Sequence, residues 1–188
     1  KYYPKLYKCY WHTQIFNSSR QNDNHNYYTA IPNQGAGIGH QMSNWIAGYW
    51  FAKQFGLQFA HVPFSNGSWE HFLGFGEDEQ TFEELLAIGY KKVKLPLFDE
   101  NDSEAFDLQR RIIKSYSSQK VVFVAEQDQF YQNQIGVITD IQRKFYASKA
   151  RKKERLQFRK SCFNIAIHVR RGDIVVGQDN QNHNLKFR

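Results

Sequence analysis

Apolar and polar residues follow two different periods along the first two thirds of the chain. Short runs rich in β-branched and aromatic residues predict strands at residues 27–31, 57–62, 91–95 and 121–125. Between these runs, apolar residues at helical spacing predict helices that begin near Ile38, Thr81 and Ser103. Strands that alternate with helices are typical of a parallel sheet, so we expect an α/β fold whose first βαβ unit spans residues 27–62.

Boundary signals support these helices. Gly56 follows the apolar positions of the first helix and predicts its end. Thr81 and Glu84 have the spacing of a capping box, and Gly89 supplies a stop for the second helix. The sequence Asp-Ser-Glu at 102–104 predicts the start of the third helix, which we expect to run to residue 116.

The last third of the chain is basic. We predict one long basic helix over residues 139–158, followed by an apolar strand at 163–169. This pattern divides the chain into an N-terminal extension at 1–26, an N-terminal α/β domain at 27–148, and the basic helix and first strand of a second domain at 149–188. A short helix is also predicted around residues 8–16.

Composition is that of a folded globular protein. The apolar fraction is 41% and the aromatic fraction 16%, and 25 basic residues against 18 acidic ones give a net charge of +7. This surplus suits an anionic partner such as phosphate, nucleic acid or a membrane surface, or it is an ordinary basic surface. No run of about 18 apolar residues exists, so we expect any membrane anchor to lie outside this chain.

Cysteines and glycosylation patterns leave the compartment open. Cys9 and Cys162 are compatible with two buried thiols, one long-range disulfide, or pairing with cysteines outside the chain. Three segments match the N-glycosylation acceptor pattern, which matters only in a secreted or luminal protein: Asn17-Ser18-Ser19, Asn66-Gly67-Ser68 and Asn101-Asp102-Ser103.

The first candidate for chemistry is the pair Arg170 and Arg171, directly after the predicted strand at 163–169. Ligands of open α/β sheets bind outside the carboxyl ends of strands. Two adjacent guanidinium groups facing a diphosphate would neutralise the charge that grows when a nucleoside diphosphate leaves. Gly172 allows a tight turn, and Asp173 can hold one guanidinium in place. The alternative is a strand end whose arginines pair with surface acids.

Residues 167–173, Ile-His-Val-Arg-Arg-Gly-Asp, resemble the His-x-Arg-Arg motif of the alpha-1,2-, alpha-1,6- and protein O-fucosyltransferases. The resemblance implies a GT-B-like fold in which the strand at 163–169 opens a Rossmann-like, donor-binding second half. It also implies that one or both arginines hold the diphosphate of GDP-fucose. On this basis we assign Arg170, Arg171 and Asp173 to catalysis and His168 to donor binding.

The second candidate is the glycine-rich stretch at 35–39, between the first strand and the first helix. It is not a dinucleotide fingerprint, which requires glycine where His40 or Met42 stands, and it lacks the Lys-Ser/Thr of a P-loop. Glycines permit close backbone approach, and the N-terminus of the following helix favours an anion. The alternative is that these glycines only allow a tight strand-to-helix turn.

Residues 35–44 are similar to the glycine-rich loop that ends in Gly-x-Gln and opens the first domain of alpha-1,6- and protein O-fucosyltransferases. The loop pattern is nearest to the alpha-1,6 enzymes. The resemblance implies that the loop faces the donor cleft from the domain opposite the arginines. The residues it assigns to donor binding are Gly37, Gly39, His40 and Gln41.

Other residues carry weaker candidates. For the general base that an acceptor hydroxyl needs, we consider Asp173 and Asp179 and assign neither. The alpha-1,6 enzymes carry an acidic residue where this chain has Gln178. The chain has no Asp-x-Asp triplet, and residues 77–79 are predicted as an exposed loop, so we expect no metal site and a metal-independent GT-B-type transferase. Trp69, in a predicted loop at 65–75, is the candidate for stacking on an acceptor glycan.

These patterns together predict a glycosyltransferase that moves fucose, or a related sugar, from a GDP-sugar to a glycan or protein hydroxyl. The alternatives are a non-catalytic module that binds a nucleotide-sugar or glycan, and a generic phosphate-binding α/β domain. We expect no cofactor beyond the GDP-sugar donor, a glycan or glycoprotein acceptor, no nucleic-acid partner, and a Golgi or ER lumen location if the protein is eukaryotic. The basic helix is interpreted as a solvated face.

Overall fold

The computed structural model describes residues 5–6, 9–10, 25–96, 99, 101–125, 134–153, 161–165 and 167. The chain divides into two compact units, Lys1–Glu154 and Arg155–Arg188. The sequence had placed the boundary between domains at residue 149. All strands and helices described below belong to the first unit.

A four-stranded parallel sheet forms the centre of the first unit, in the order β2-β1-β4-β3. β1 pairs with β2 on one side and with β4 on the other, and β4 pairs with β3. All pairs are parallel, so the carboxyl ends of the four strands lie along one edge. The structure thus confirms the predicted α/β class and the predicted βαβ unit. The strands are β1 Tyr27–Ala30, β2 Gln58–Phe59, β3 Lys91–Lys94 and β4 Val121–Ala125.

The three helices predicted near Ile38, Thr81 and Ser103 begin where the sequence predicted, whereas the helix at Gly67–Leu73 lies where a loop was predicted. Thr81 Oγ1 accepts the backbone N–H of Glu84 at 3.2 Å, and Glu84 Oε2 accepts the N–H of Thr81 at 2.9 Å, which completes the capping box. Gly89 follows that helix with φ +94°. The helices are α1 Ile38–Gln54, α2 Gly67–Leu73, α3 Phe82–Ala87, α4 Ser103–Ser115, α5 Ile138–Ala147 and α6 Lys149–Lys153, with a 3-10 turn at Gln134–Val137.

The core packs aromatic side chains of α1 against the sheet. Trp45 is fully buried, stacks on Phe75 at 4.0 Å between ring centroids, and meets Phe59 edge-on at 4.8 Å. Gly48 brings α1 close to β1, since a Cβ there would lie 2.7 Å from the Cβ of Ala30. This packing fixes the axis of α1 and places its N-terminus just beyond the end of β1.

The predicted long basic helix is wrong as a single element. Ser148 separates α5 from α6 because its backbone is extended, with ψ 139°. Its Oγ donates to the carbonyl of Phe72 at 3.1 Å and accepts the N–H of Arg151 at 3.2 Å. Ser148 therefore ends one helix and caps the next while it binds α2. Residues 154–158 of the predicted helix lie outside the described residues.

The strand predicted at 163–169 is not seen at the residues that are described. Residues 163–165 and 167 have no strand structure. The side chains of Phe163, Ile165 and Ile167 are 91%, 73% and 81% exposed. Apolar alternation alone does not place these residues in a sheet, because a strand also needs a partner for its backbone groups. Of the short helix predicted at 8–16, only Cys9 and Tyr10 are described, and both are helical.

Candidate functional site

The glycine-rich loop lies at the carboxyl edge of the sheet, between β1 and α1. The N–H of Ala36 donates to the carbonyl of Asn33 at 3.0 Å, and the N–H of Gly35 donates to Asn33 Oδ1 at 3.2 Å. Asn33 thus organises the turn that leads to Gly37, the residue before α1. Because the loop follows the carboxyl end of β1, it stands at the edge where open α/β sheets bind ligands.

The N-terminus of α1 has no side-chain cap. The N-cap position is Gly37, and the first turn of this 17-residue helix contains no acidic residue. In contrast, Asn66, Thr81 and Asp102 each accept a backbone N–H at the start of α2, α3 and α4. The helix α5 also begins without a side-chain cap. The start of α1 therefore directs the positive end of a long helix toward the loop.

The glycines of the loop are not required by the turn itself. Gly35, Gly37 and Gly39 do not have the left-handed backbone that favours glycine, unlike Gly56. A Cβ added at Gly37 or Gly39 would meet nothing within 4 Å, and one at Gly35 only Asn33 Oδ1 at 3.8 Å. The alternative that these glycines only allow a tight turn therefore has no steric basis in this structure. A side chain at Gly37 or Gly39 would point into open space.

Gln41 ties the loop to the segment that follows β2. Its side chain is fully buried. Nε2 donates to the carbonyl of Ala36 at 2.6 Å and to Ser65 Oγ at 2.6 Å, and Oε1 accepts the N–H of Ser65 at 2.9 Å. These bonds use both amide hydrogens of Gln41. The neighbouring His40 is exposed.

A buried polar cluster supports the segment around Ser65. Trp45 Nε1–H donates to His61 Nδ1 at 3.0 Å. Because an indole nitrogen is only a donor, the neutral His61 ring carries its hydrogen on Nε2. That nitrogen lies 3.3 Å from Glu70 Oε2, which also accepts the N–H of Phe64 at 2.7 Å. The cluster thus joins α1, the segment after β2, and α2.

The environment of His61 favours the neutral ring. Burial lowers the pKa of His61, and Lys144 acts in the same direction. Glu70 and Glu79 oppose the shift without reversing it. The loop that covers the ring is tight, since Gly76 has φ +78° and a Cβ there would lie 2.6 Å from the imidazole.

The acidic segment at 77–79 is not simply an exposed loop. The side chain of Glu79 is only 7% exposed and forms an ion pair with Lys144, which is buried to the same extent. Glu79 Oε2 also accepts the N–H of Gly76 at 3.0 Å. Asp78, which is 83% exposed, lies 3.7 Å from Lys144. The predicted exposure is therefore wrong at Glu79, whose role is to bind α5 to this loop.

Trp69 is also placed differently from the prediction. It lies in helix α2 rather than in a loop. Its ring is half-buried and packs against the core cluster that contains Trp45 and Phe75. The packing leaves only part of the ring available for stacking on a glycan.

A cleft of about 510 Å³ lies along β2, away from the glycine-rich loop. Tyr27 and Gln80 both line it, and the Tyr27 hydroxyl donates to Gln80 Oε1 at 2.7 Å. Lys53, which lines it, stands at the end of α1, and Ile38 stands at the start. At 1.5 Å rise per residue the two ends of this helix are about 22 Å apart. The cleft is therefore too far from the loop to belong to the same reacting centre.

The arginine half of the predicted site lies outside the described residues, and so do the two candidates for the general base. The residues concerned are His168, Arg170, Arg171, Asp173 and Asp179.

Cys9 and Cys162 are exposed and free. In the described part of the chain, no group of three or more His, Cys, Asp or Glu side chains is arranged to hold a metal ion. No helix in that part has the length and apolarity to cross a membrane.

Comparison of the chain with protein-family models, with curated proteins and with solved structures found no match.

The sequence reasoning missed the cluster of Trp45, His61 and Glu70. His61 did carry a signal, because it follows Leu57 and Phe59 at the two-residue spacing that places side chains on one face of a strand. All three side chains are buried. Glu70 carried none, since residues 65–75 resemble a polar loop and the burial of Glu70 depends on the short helix α2.

Proposed function

We propose that this protein is a metal-independent glycosyltransferase of GT-B-like architecture that transfers fucose, or a related sugar, from a GDP-sugar to a glycan or protein hydroxyl. One structural observation carries the proposal. The glycine-rich loop opens α1 at the carboxyl edge of a parallel sheet, with no side-chain cap and with open space at Gly37 and Gly39. The sequence adds the motif at 167–173, in which the resemblance implies that Arg170 and Arg171 bind the diphosphate.

Each motif has its own task in this proposal. The helix N-terminus and the loop N–H groups suit an anionic group of the donor, and Arg170 and Arg171 would neutralise the departing diphosphate. The acceptor oxygen attacks the anomeric carbon as the bond from that carbon to the diphosphate oxygen breaks, and the acceptor proton passes to a general base. A single displacement of this kind inverts the anomeric configuration. The candidates for the base are Asp173 and Asp179.

Titration of GDP and GDP-fucose into the full chain and its Arg170→Ala variant tests this proposal. We expect Arg170→Ala to weaken binding at least tenfold, because it removes a charge-assisted contact to phosphate. Arg110→Ala is the matched control, since Arg110 is an exposed arginine on α4 whose carboxylate partner Asp107 lies 3.8 Å away. Equal binding by the wild type and the Arg170 variant would overturn the donor site.

A transfer assay then separates an enzyme from a binding module. The full chain is incubated with labelled GDP-fucose and a mixture of glycans and glycoproteins. We expect fucose in the acceptor fraction and release of GDP. Donor binding with neither transfer nor donor hydrolysis would favour the non-catalytic module.

A further inference from the structure

Gln41 connects two segments that follow neighbouring strands. One is the glycine-rich loop after β1, reached through the carbonyl of Ala36. The other is the segment after β2, reached through the hydroxyl and the N–H of Ser65. We call these three hydrogen bonds the Gln41–Ser65 clamp. Because the Gln41 side chain is fully buried, breaking one of these bonds leaves a buried amide atom of Gln41 without its partner, although Ser65 itself is exposed.

We propose that Gln41 and Ser65 are positioning residues that hold the glycine-rich loop in its donor-binding conformation, and that Gln41 does not itself touch the donor. This inference rests on the proposed function of the loop. It differs from the direct donor contact that the resemblance implies for Gln41.

The geometry explains how the clamp acts on the loop. Ala36 directly precedes Gly37, the N-cap residue of α1. Fixing the carbonyl of Ala36 fixes the peptide plane between these residues, and hence the direction of the N–H of Gly37. The glycines have no side-chain packing of their own to hold them, since nothing lies within 4 Å of a Cβ at Gly37 or Gly39. On its helix side, the carbonyl of Gly37 accepts the N–H groups of His40 and Gln41 at 3.1 and 3.2 Å. On the loop side, the Gln41 side chain holds the peptide that precedes Gly37.

Ser65 is a firm anchor because both of its neighbours are fixed. The N–H of Phe64 donates to Glu70 Oε2, which belongs to the buried cluster with His61. Asn66 Oδ1 accepts the N–H of Ser68 at 3.0 Å and caps α2. For Gln41 to reach a ligand instead, it would have to break its hydrogen bonds to Ala36 and Ser65. Its side chain would also have to leave a fully buried position.

The clamp is tested in the full chain with Gln41→Glu, Ser65→Ala and the control Gln54→Glu. A glutamate at 41 keeps the size of the side chain and accepts from Ser65, but its carboxylate cannot donate to the carbonyl of Ala36. Ser65→Ala removes the hydroxyl and leaves the backbone N–H in place. Gln54 is an exposed glutamine at the far end of the same helix.

Two measurements are made on each protein. Amide hydrogen exchange of the segment at 35–41 reports the loop without ligand, and titration with GDP reports the donor site. We expect Gln41→Glu to accelerate exchange and to weaken GDP binding, each at least tenfold. Ser65→Ala should change both in the same direction by a smaller factor, and Gln54→Glu should change neither.

The outcomes separate this inference from the proposed function. Weaker GDP binding with unchanged loop exchange in Gln41→Glu would overturn the positioning role and favour direct contact. Unchanged exchange in Ser65→Ala as well as Gln41→Glu would show that the clamp does not hold the loop. If the wild type fails to bind GDP, the proposed function fails, and the exchange data still decide whether the clamp orders the loop. If Gln41→Glu does not fold, Ser65→Ala and Gln54→Glu provide the comparison.

Discussion

The indole Nε1–H of Trp45 donates to Nδ1 of His61 at 3.0 Å, deep in the core of the first unit. Protonation of His61 would place a second N–H against that of Trp45, since indole has no lone pair to accept it. This hydrogen bond therefore favours the neutral form of the buried His61.

A first prediction is that acidification destabilises the protein through His61. Burial lowers the pKa of His61 in the folded state, reinforced by Lys144 and opposed by Glu70 and Glu79. A group whose pKa falls on folding adds stability above its unfolded pKa of about 6.5 and loses it as the pH falls below that value. Urea unfolding at about pH 7.5 and about pH 5 should show a smaller free energy of unfolding at the lower pH.

His61→Asn is the control for this prediction. The Asn carbonyl can still accept the N–H of Trp45, but the side chain does not titrate. The variant should be less stable than the wild type at neutral pH and should lose less stability on acidification. Parallel pH profiles for the two proteins would contradict a role for His61.

A second prediction contrasts two glycines of α1. Gly48→Ala places a Cβ 2.7 Å from Ala30 Cβ and 3.0 Å from both the backbone nitrogen of Ala30 and the ring of Phe59. We expect it to cost about 1–3 kcal/mol, because the helix must move away from β1. Gly39→Ala meets nothing within 4 Å and should leave stability unchanged or raise it by about 0.5 kcal/mol.

The same pair of variants also reports on the loop. If the open space at Gly39 receives the donor, Gly39→Ala should weaken GDP binding while the protein remains fully folded. Thermal unfolding and GDP titration, measured on the same samples, check both statements. Loss of stability in Gly39→Ala would show that the space is needed for the fold rather than for a ligand.

A third prediction concerns the ion pair of Lys144 and Glu79. Both side chains are 7% exposed. Lys144→Met leaves the carboxyl group of Glu79 buried without its partner, so we expect a loss of about 3 kcal/mol in the free energy of unfolding. Lys53→Met is the matched control, because Lys53 is 51% exposed in its pair with Asp140 and should lose at most about 1 kcal/mol. Equal shifts of the two urea midpoints would argue against a structural role for Lys144.

The sequence predicted those elements that depend on neighbours along the chain. The capping box of Thr81 and Glu84 is formed within four consecutive residues, and Gly89 ends the same helix. The run at Val121–Ala125 is apolar throughout and is a fully buried inner strand. The capping box and the glycine stop hold because their interactions lie within the segment itself. The strand holds because its apolar run also finds partner strands on both sides.

The same reasoning failed where a distant residue decides. Ser148 divides the predicted basic helix because its hydroxyl binds the carbonyl of Phe72, which lies 76 residues earlier. Glu79 is buried rather than exposed because Lys144 of α5 reaches it. Neither Phe72 nor Lys144 can be identified as a partner from the sequence of the segment whose structure it changes.

For the candidate site, the sequence by itself determined where the glycine-rich loop lies and that a helix follows it. Strand period, helix period and glycine position are local properties of the chain. Only the tertiary structure decided that the Gln41 side chain is hydrogen-bonded to Ala36 and Ser65, and that His61 contacts Trp45 and Glu70 in the core. The physical reason is that a buried amide or imidazole takes its role from whichever groups packing brings within hydrogen-bond distance, and packing joins residues that the sequence keeps apart.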